Sequence, residues 1–391
     1  MDEPIVRIAA RGDGVTASGR HAAFAAPGDT LSEDGAIIAG PHHQTPPCRH
    51  FPDCGGCQLQ HVDDAAYRDY LAARVAGALA QHGLETRIEP PHVSPPRTRR
   101  RAALRALRIG KSAVVGFNSA RSNHIVDMHE CHVLRPELFA LVAPLRALLG
   151  AMLASKKTAE VQLTLADQGA DVTIKGVAAQ GLEAHLGLTD FAQAHGLARL
   201  SLDGGLGAET MYEPEPATIS LSGHPVRLPP GAFLQATADG EAALVAAARD
   251  AVGEAGPVAD LFAGLGTFAL ALDAAYAAEA SRDAVTALAQ AARSTRVEHR
   301  DLYRRPLDAS ELARFKAVVL DPPRSGALEQ IAELAKSAVQ RIAYISCNPA
   351  TFARDARVLG DGGYRLEWVK PVGQFRWSTH IELAACFSRG G

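Results

Sequence analysis

The chain has 391 residues, more than one ordinary hydrophobic core organises, so two or three domains are expected. Its 40 Lys+Arg against 43 Asp+Glu give a formal net charge of −3, with 47% hydrophobic and 21% charged residues. That balance excludes a disordered chain, a collagen-like repeat, a small disulfide scaffold and a protein coated uniformly in positive charge. The opening MDEPIVRIAA lacks a basic segment followed by an apolar stretch. No apolar run reaches the roughly 18 residues that span a bilayer. A cytoplasmic protein without a membrane partner is expected. Its six cysteines then stay reduced and read as ligands, nucleophiles or core residues.

In chain order, residues 1–44 carry short β-like pieces punctuated by Gly and Pro, the pattern of a small β unit. Residues 45–61 are dense in Cys, Pro and Gly and predict irregular structure. Helical spacing runs from Asp63 to Gly83. Residues 97–117 predict a hairpin turning at Gly110–Lys111, and its first part carries seven basic side chains from Arg97 to Lys111 with no acid. Leu141 to Ala154 reads as an amphipathic helix, and Val161–Leu165 and Asp171–Ile174 as strands. From Gly231 the short apolar pieces PVADLF, YAAEA, RVEHRD, KAVVLD and RIAYIS alternate with helical stretches. That alternation predicts βαβ units and an α/β, doubly wound parallel sheet. Three units are expected: 1–44, 45–229 and 230–391.

Cys48, Cys54 and Cys57 stand close together, and Cys131 follows far downstream in HECHVL. Three near thiolates and one distant one can close a four-sulfur site. By spacing alone, zinc and an iron–sulfur cluster are equally served. Gly264 and Gly266, in Asp260-Leu-Phe-Ala-Gly-Leu-Gly-Thr-Phe268, permit close backbone approach to a ligand after a strand. The third glycine of the dinucleotide fingerprint is missing, which disfavours NAD. The next strands end in Glu279, near Asp301, and in Asp321-Pro-Pro-Arg. Carboxylates at successive strand ends point to an adenosine-type ligand and resemble the S-adenosylmethionine site of class I methyltransferases.

Cys347 follows the apolar strand RIAYI at the same sheet edge, where polar neighbours and a helix N-terminus are expected to lower its pKa. A thiolate beside a methyl donor suits one difficult reaction. Carbon-5 of a uracil is a poor nucleophile until a thiolate adds to carbon-6. A base must afterwards remove the carbon-5 proton. In STHIELAACF, His380 and Glu382 share one face of a strand, which makes Glu382 the candidate base and His380 its neighbour.

Together CGGCQLQH, HECHVL, DLFAGLGTF, LDPPRSG, YISCNPATFARD and THIELA resemble the RNA 5-methyluridine methyltransferases, and the four cysteines resemble the 23S ribosomal RNA branch. The resemblance implies a Rossmann-like methyltransferase domain and a central α+β domain. In the latter, Cys48, Cys54, Cys57 and Cys131 would hold a [4Fe-4S] cluster. It implies a short N-terminal β module of the TRAM type, although few residues separate Asp29 from Cys48. It assigns Cys347 as nucleophile and Glu382 as proton acceptor. Gln235, Phe262, Thr267, Glu279, Asp301 and Asp321 fall on its S-adenosylmethionine positions. Phe375-Arg376-Trp377 departs from the family's proline-containing approach to His-x-Glu. With a ribosomal RNA partner, the basic run from Arg97 to Lys111 becomes an RNA-facing hairpin, with Arg121 a further contact. No obligate protein partner is evident. The alternatives are the same chemistry on transfer RNA, and a non-catalytic iron–sulfur RNA-binding or redox-sensing protein.

Overall fold

A computed structural model describes residues 2–179 and 181–390. Its C-terminal sheet contains five parallel strands, Val258–Leu261, Tyr276–Glu279, Arg296–His299, Ala317–Leu320 and Arg341–Ser346. VADL and AVVL are buried along their whole length. Continuous apolar strands of this kind need cover on both faces, and two separate apolar clusters supply it. Strand Glu382–Ser388 runs antiparallel between Arg341–Ser346 and Arg365–Gly373. The chain order reverses between Val258–Leu261 and Ala317–Leu320, so a crevice opens beyond their carboxyl ends.

The central sheet has six strands, in the order Ala208–Tyr212, Leu197–Asp203, Gly169–Lys175, Thr158–Ala166, Arg101–Ile109 and Ser112–Gly116. The last two form the expected hairpin. Leu145, Leu149 and Leu188, from helices Val142–Met152 and Gly181–Ala194, join its core. Residues 3–38 form five short antiparallel strands around Ile5, Ala22, Ala25 and Leu31.

The segment 45–229, expected as one unit, divides between two cores. Helix Asp64–Ala80 starts at Asp63, whose carboxylate accepts the Ala66 N–H. Its Tyr67, Leu71, Val75 and Leu79 are buried in the core of the C-terminal sheet, not the central one. Arg87–Ile88 and His92–Val93 pair in parallel with strand Arg365–Gly373 and complete the sheet's far edge. Hairpin Thr218–Leu221/His224–Arg227 packs on the same C-terminal body.

Arg199 joins the central sheet to that hairpin. It is 1% exposed, donates to both oxygens of Asp171 at 2.9 and 2.6 Å, and donates to the Leu228 carbonyl at 2.8 Å. Removing Asp171 leaves the buried guanidinium with only Glu213, at 3.4 Å, as a counter-charge. Asp171→Ala is expected to cost about 3–5 kcal/mol in urea-induced unfolding. A loss below about 1 kcal/mol would show that the pair is not coupled to folding.

Candidate active site

A cavity of about 740 Å³ lies over the crevice. Gln235, Phe262, Thr267, Glu279, Asp301, Asp321, Cys347 and Glu382 all line it. The Asp260–Phe268 turn forms one wall. Phe262, Gly264 and Gly266 have φ of 64°, 55° and 94°. At Gly266 a Cβ would stand 2.3 Å from Leu288 Cδ1, so only glycine lets the turn pack there. At Gly264 a Cβ would meet nothing, which leaves backbone open to a ligand. The Gly264 N–H donates to Glu279 at 2.9 Å, and Ser281 N–H donates to its other oxygen at 2.7 Å. Asp260 lies behind the turn, fully buried, with no hydrogen-bond partner on either carboxylate oxygen. Burial, then the charges of Asp321 and Glu279, push it well above the usual carboxylate range. The cavity volume, open glycine backbone and strand-end carboxylates fit an S-adenosyl ligand with space for a base beside it.

Cys347 and Glu382 meet through strand register. Across Arg341–Ser346 and Glu382–Ser388 the last pair is Ser346 with Leu383. Cys347 follows in a bend at the end of this ladder, Glu382 begins the partner strand, and both line the cavity. Asn348 follows as the N-cap of helix Pro349–Asp361 and donates to the Arg324 carbonyl at 3.1 Å, which ties the DPPR loop to the thiol loop.

The electrostatics differ from the expected lowered thiol. Burial, then Glu382 and Asp321, push Cys347 up to about 11, with Arg324 opposing. Burial, reinforced by two carboxylates that arrive from other strand ends, outweighs the helix N-terminus. Burial and then Asp321 push Glu382 up to about 8. Burial takes Asp321 to about 7, against the hydrogen bond from Gln235. His380 is held below its ordinary value by burial and by Arg324 and Arg99, so its imidazole is neutral at pH 7.

The basic run does not form one surface. Arg100 is buried, donates to the Gln235 carbonyl at 3.0 Å and pairs with Glu241 at 2.6 Å. Arg101 lines the cavity with its guanidinium 4.3 Å from the centre of the Phe233 ring. Arg99 lies 5.2 Å from the Phe375 ring centre. Arg97, Arg105 and Lys111 are exposed, and Arg105 faces Glu160 at 3.3 Å. Sequence reasoning missed Phe233. It is 58% exposed on the cavity wall, and its signal was a large aromatic two residues before Gln235.

The unusual loop Phe375–Thr379 is anchored from the N-terminal half. Gln58 and Leu59 N–H donate to the Trp377 carbonyl at 2.8 and 2.9 Å. The Tyr67 hydroxyl donates to the Phe375 and Ser378 carbonyls at 3.2 and 3.1 Å. Cys48, Cys54, Cys57 and Cys131 line one small cavity beside this loop, and Cys57, Cys131, Val133 and Trp377 form one cluster. Burial raises all four thiols, Cys57 to about 12. Among the described residues no group of three or more His, Cys, Asp or Glu is drawn together as for a metal ion.

Comparison with known proteins places this geometry. The family model described as tRNA (Uracil-5-)-methyltransferase matches residues 284–389. An uncharacterized RNA methyltransferase of Zymomonas mobilis is 49% identical, with the match covering 98% of this chain and 99% of that protein. The 23S rRNA (uracil(1939)-C(5))-methyltransferase RlmD of Aeromonas salmonicida is 30% identical, with coverage of 88% and 82%. The crystal structure of Pyrococcus abyssi tRNA (uracil-54, C5)-methyltransferase with S-adenosyl-L-homocysteine has the same fold, with a TM-score of 0.73, 21% identity and 99% coverage of both chains. The chain belongs to the family of S-adenosylmethionine-dependent RNA (uracil-5-)-methyltransferases.

Proposed function

We propose that this enzyme methylates carbon-5 of a uridine in 23S ribosomal RNA through a covalent adduct on Cys347. The observation that carries the reading is that Cys347 and Glu382, at the adjoining ends of two paired strands, line the same cavity as the cofactor-type residues. The 23S-specific relative and the four cysteines favour ribosomal RNA. The family model's description and the archaeal fold neighbour favour a transfer RNA uridine. Methylation of 23S and transfer RNA transcripts compared side by side decides between them.

Cys347 Sγ adds as thiolate to carbon-6, which moves the carbon-5–carbon-6 electron pair into an enolate. S-adenosylmethionine supplies the methyl group as a sulfonium, and carbon-5 accepts it. Glu382 then takes the carbon-5 proton, the double bond re-forms, and the Cys347 thiolate leaves. A thiol near 11 is mostly protonated at rest, which limits the reactive form until substrate binds. A carboxyl near 8 is a stronger base than an exposed one and titrates close to working pH. Asp321 keeps that value high. Arg101 and Phe233 form a flat cationic–aromatic wall on which a base extruded from its stack can lie.

A groove of about 1080 Å³ runs from the N-terminal strands to Thr379, beside His380. Arg11, Arg105 and Arg121 supply cations along it, and Phe24 and Phe117 supply rings. This mixture suits single-stranded RNA. The N-terminal strands, read as a TRAM-like module, contribute Arg11 and Phe24. Cys48, Cys54, Cys57 and Cys131 fit a [4Fe-4S] cluster in donor type and in sharing one buried cavity. Held there, it would brace the loop that carries Trp377.

Cys347→Ala is expected to fold and bind S-adenosylmethionine but transfer no methyl group to either transcript; full turnover would overturn the mechanism. Glu382→Gln should accumulate a protein–RNA adduct on a denaturing gel, and normal turnover without adduct would remove Glu382 from the base role. Protein purified without oxygen should be brown, with about four irons per chain. A colourless preparation with stoichiometric zinc would exclude the cluster.

A further inference from the structure

One buried amide links the cofactor end of the cavity to the base end. Gln374 is 2% exposed and stands two residues beyond Val372, the strand partner of Glu382. Its Oε1 accepts the Ala236 N–H at 2.7 Å, and its Nε2 donates to Gln235 Oε1 at 2.7 Å. Gln235 Nε2 in turn donates to Asp321 Oδ2 at 3.0 Å. The direction of this chain is fixed from the backbone outward. A peptide N–H can be met only by an acceptor, so Gln374 must present its oxygen to Ala236 and its nitrogen to Gln235. Gln235 is then left with its own nitrogen facing Asp321. Without that constraint a glutamine amide has two nearly equivalent orientations.

Gln374 also leaves the strand that pairs with Glu382, two residues past its partner Val372, and its amide favours the Glu382 carboxylate against burial. The side chain is also held in place. A Cβ at Gly240, in the first turn of helix Ala238–Val252, would come within 2.7 Å of Gln374 Cβ, so the helix packs closely there only because residue 240 is glycine.

We propose that Gln374 is a positioning residue: it orients Gln235 toward the cofactor site and holds Glu382 in its proton-accepting form. The Glu382 half rests on the base role proposed above, whereas the Gln235 half does not. Removal of the Gln374 N–H donors takes away a stabiliser of the ionised carboxyl. The titration of Glu382 then moves up, and proton removal from carbon-5 requires a higher pH.

The test uses the full chain with Gln374→Glu, which keeps an acceptor for the Ala236 N–H, and Gln374→Met, which does not. Calorimetry with S-adenosylhomocysteine is expected to show binding about 10-fold weaker in both, the scale of one lost buried hydrogen bond. Methylation of a 23S transcript across the pH range bracketing 8 should show the rising limb shifted upward by about one unit, with activity largely recovered at high pH. A side chain that merely fills space would lower the rate by the same factor at every pH. Unchanged S-adenosylhomocysteine affinity in both variants, or a pH-independent loss, would overturn the proposal. Wild-type protein that methylates no transcript while the binding loss persists would instead defeat the base assignment and leave the Gln235 half standing.

Discussion

The site depends on the register of one antiparallel strand pair. Insertion of Glu382–Ser388 against Arg341–Ser346 brings the end of one strand, just before Cys347, to the start of the other at Glu382. A shift of one position would turn Glu382 to the opposite face of the sheet. The register is held because both strands are almost wholly buried, with Ile342, Tyr344, Leu383, Ala385 and Phe387 on one face and Ala343, Ile345, Ala384 and Cys386 on the other. Cys386 therefore serves as a core residue in the strand that positions the base.

Burial of this pair produces the site's electrostatics. Cys347, Asp321 and Glu382 share a region with little water, and each disfavours charge on the others. Arg101, Arg324 and the amides of Gln235 and Gln374 offset part of that cost. The assembly is completed by elements from the first half of the chain. Tyr67, Gln58 and Leu59 grip the loop before His380, while Arg100 grips the backbone of Gln235. The cysteine-lined cavity lies against the same loop, with Cys57 and Cys131 packed on Trp377.

The parallel strands, the glycine turn and the strand-end residues were legible in the sequence because each is a local pattern: an apolar run, then Gly, Asp or Cys. The expected alternation of His380 and Glu382 on one strand did not hold, because the strand begins at Glu382 and leaves His380 in the loop before it, although both line the cavity. The domain split was not, because the pairing of residues 87–93 with strand Arg365–Gly373 spans most of the chain and leaves no local trace. The basic run misled for a related reason. Charge counting sees seven cations, while the fold turns Arg100 inward to Glu241 and Arg101 into the cavity. The expected lowered thiol pKa failed because it considered the following helix and not the burial of the thiol, nor the two carboxylates brought beside it from other strand ends.

The central claim is that Cys347 forms a bond to the substrate while Glu382 waits for its proton. The direct measurement uses the wild-type enzyme, S-adenosylmethionine and a transcript it methylates, prepared with 5-fluorouridine. Fluorine at carbon-5 cannot be abstracted as a proton is, so the adduct cannot resolve. Digestion and mass spectrometry should find a methylated fluorouridine on the peptide containing Cys347. Attachment at another residue, or methylation of normal transcript with no adduct on the fluorinated one, would contradict the account.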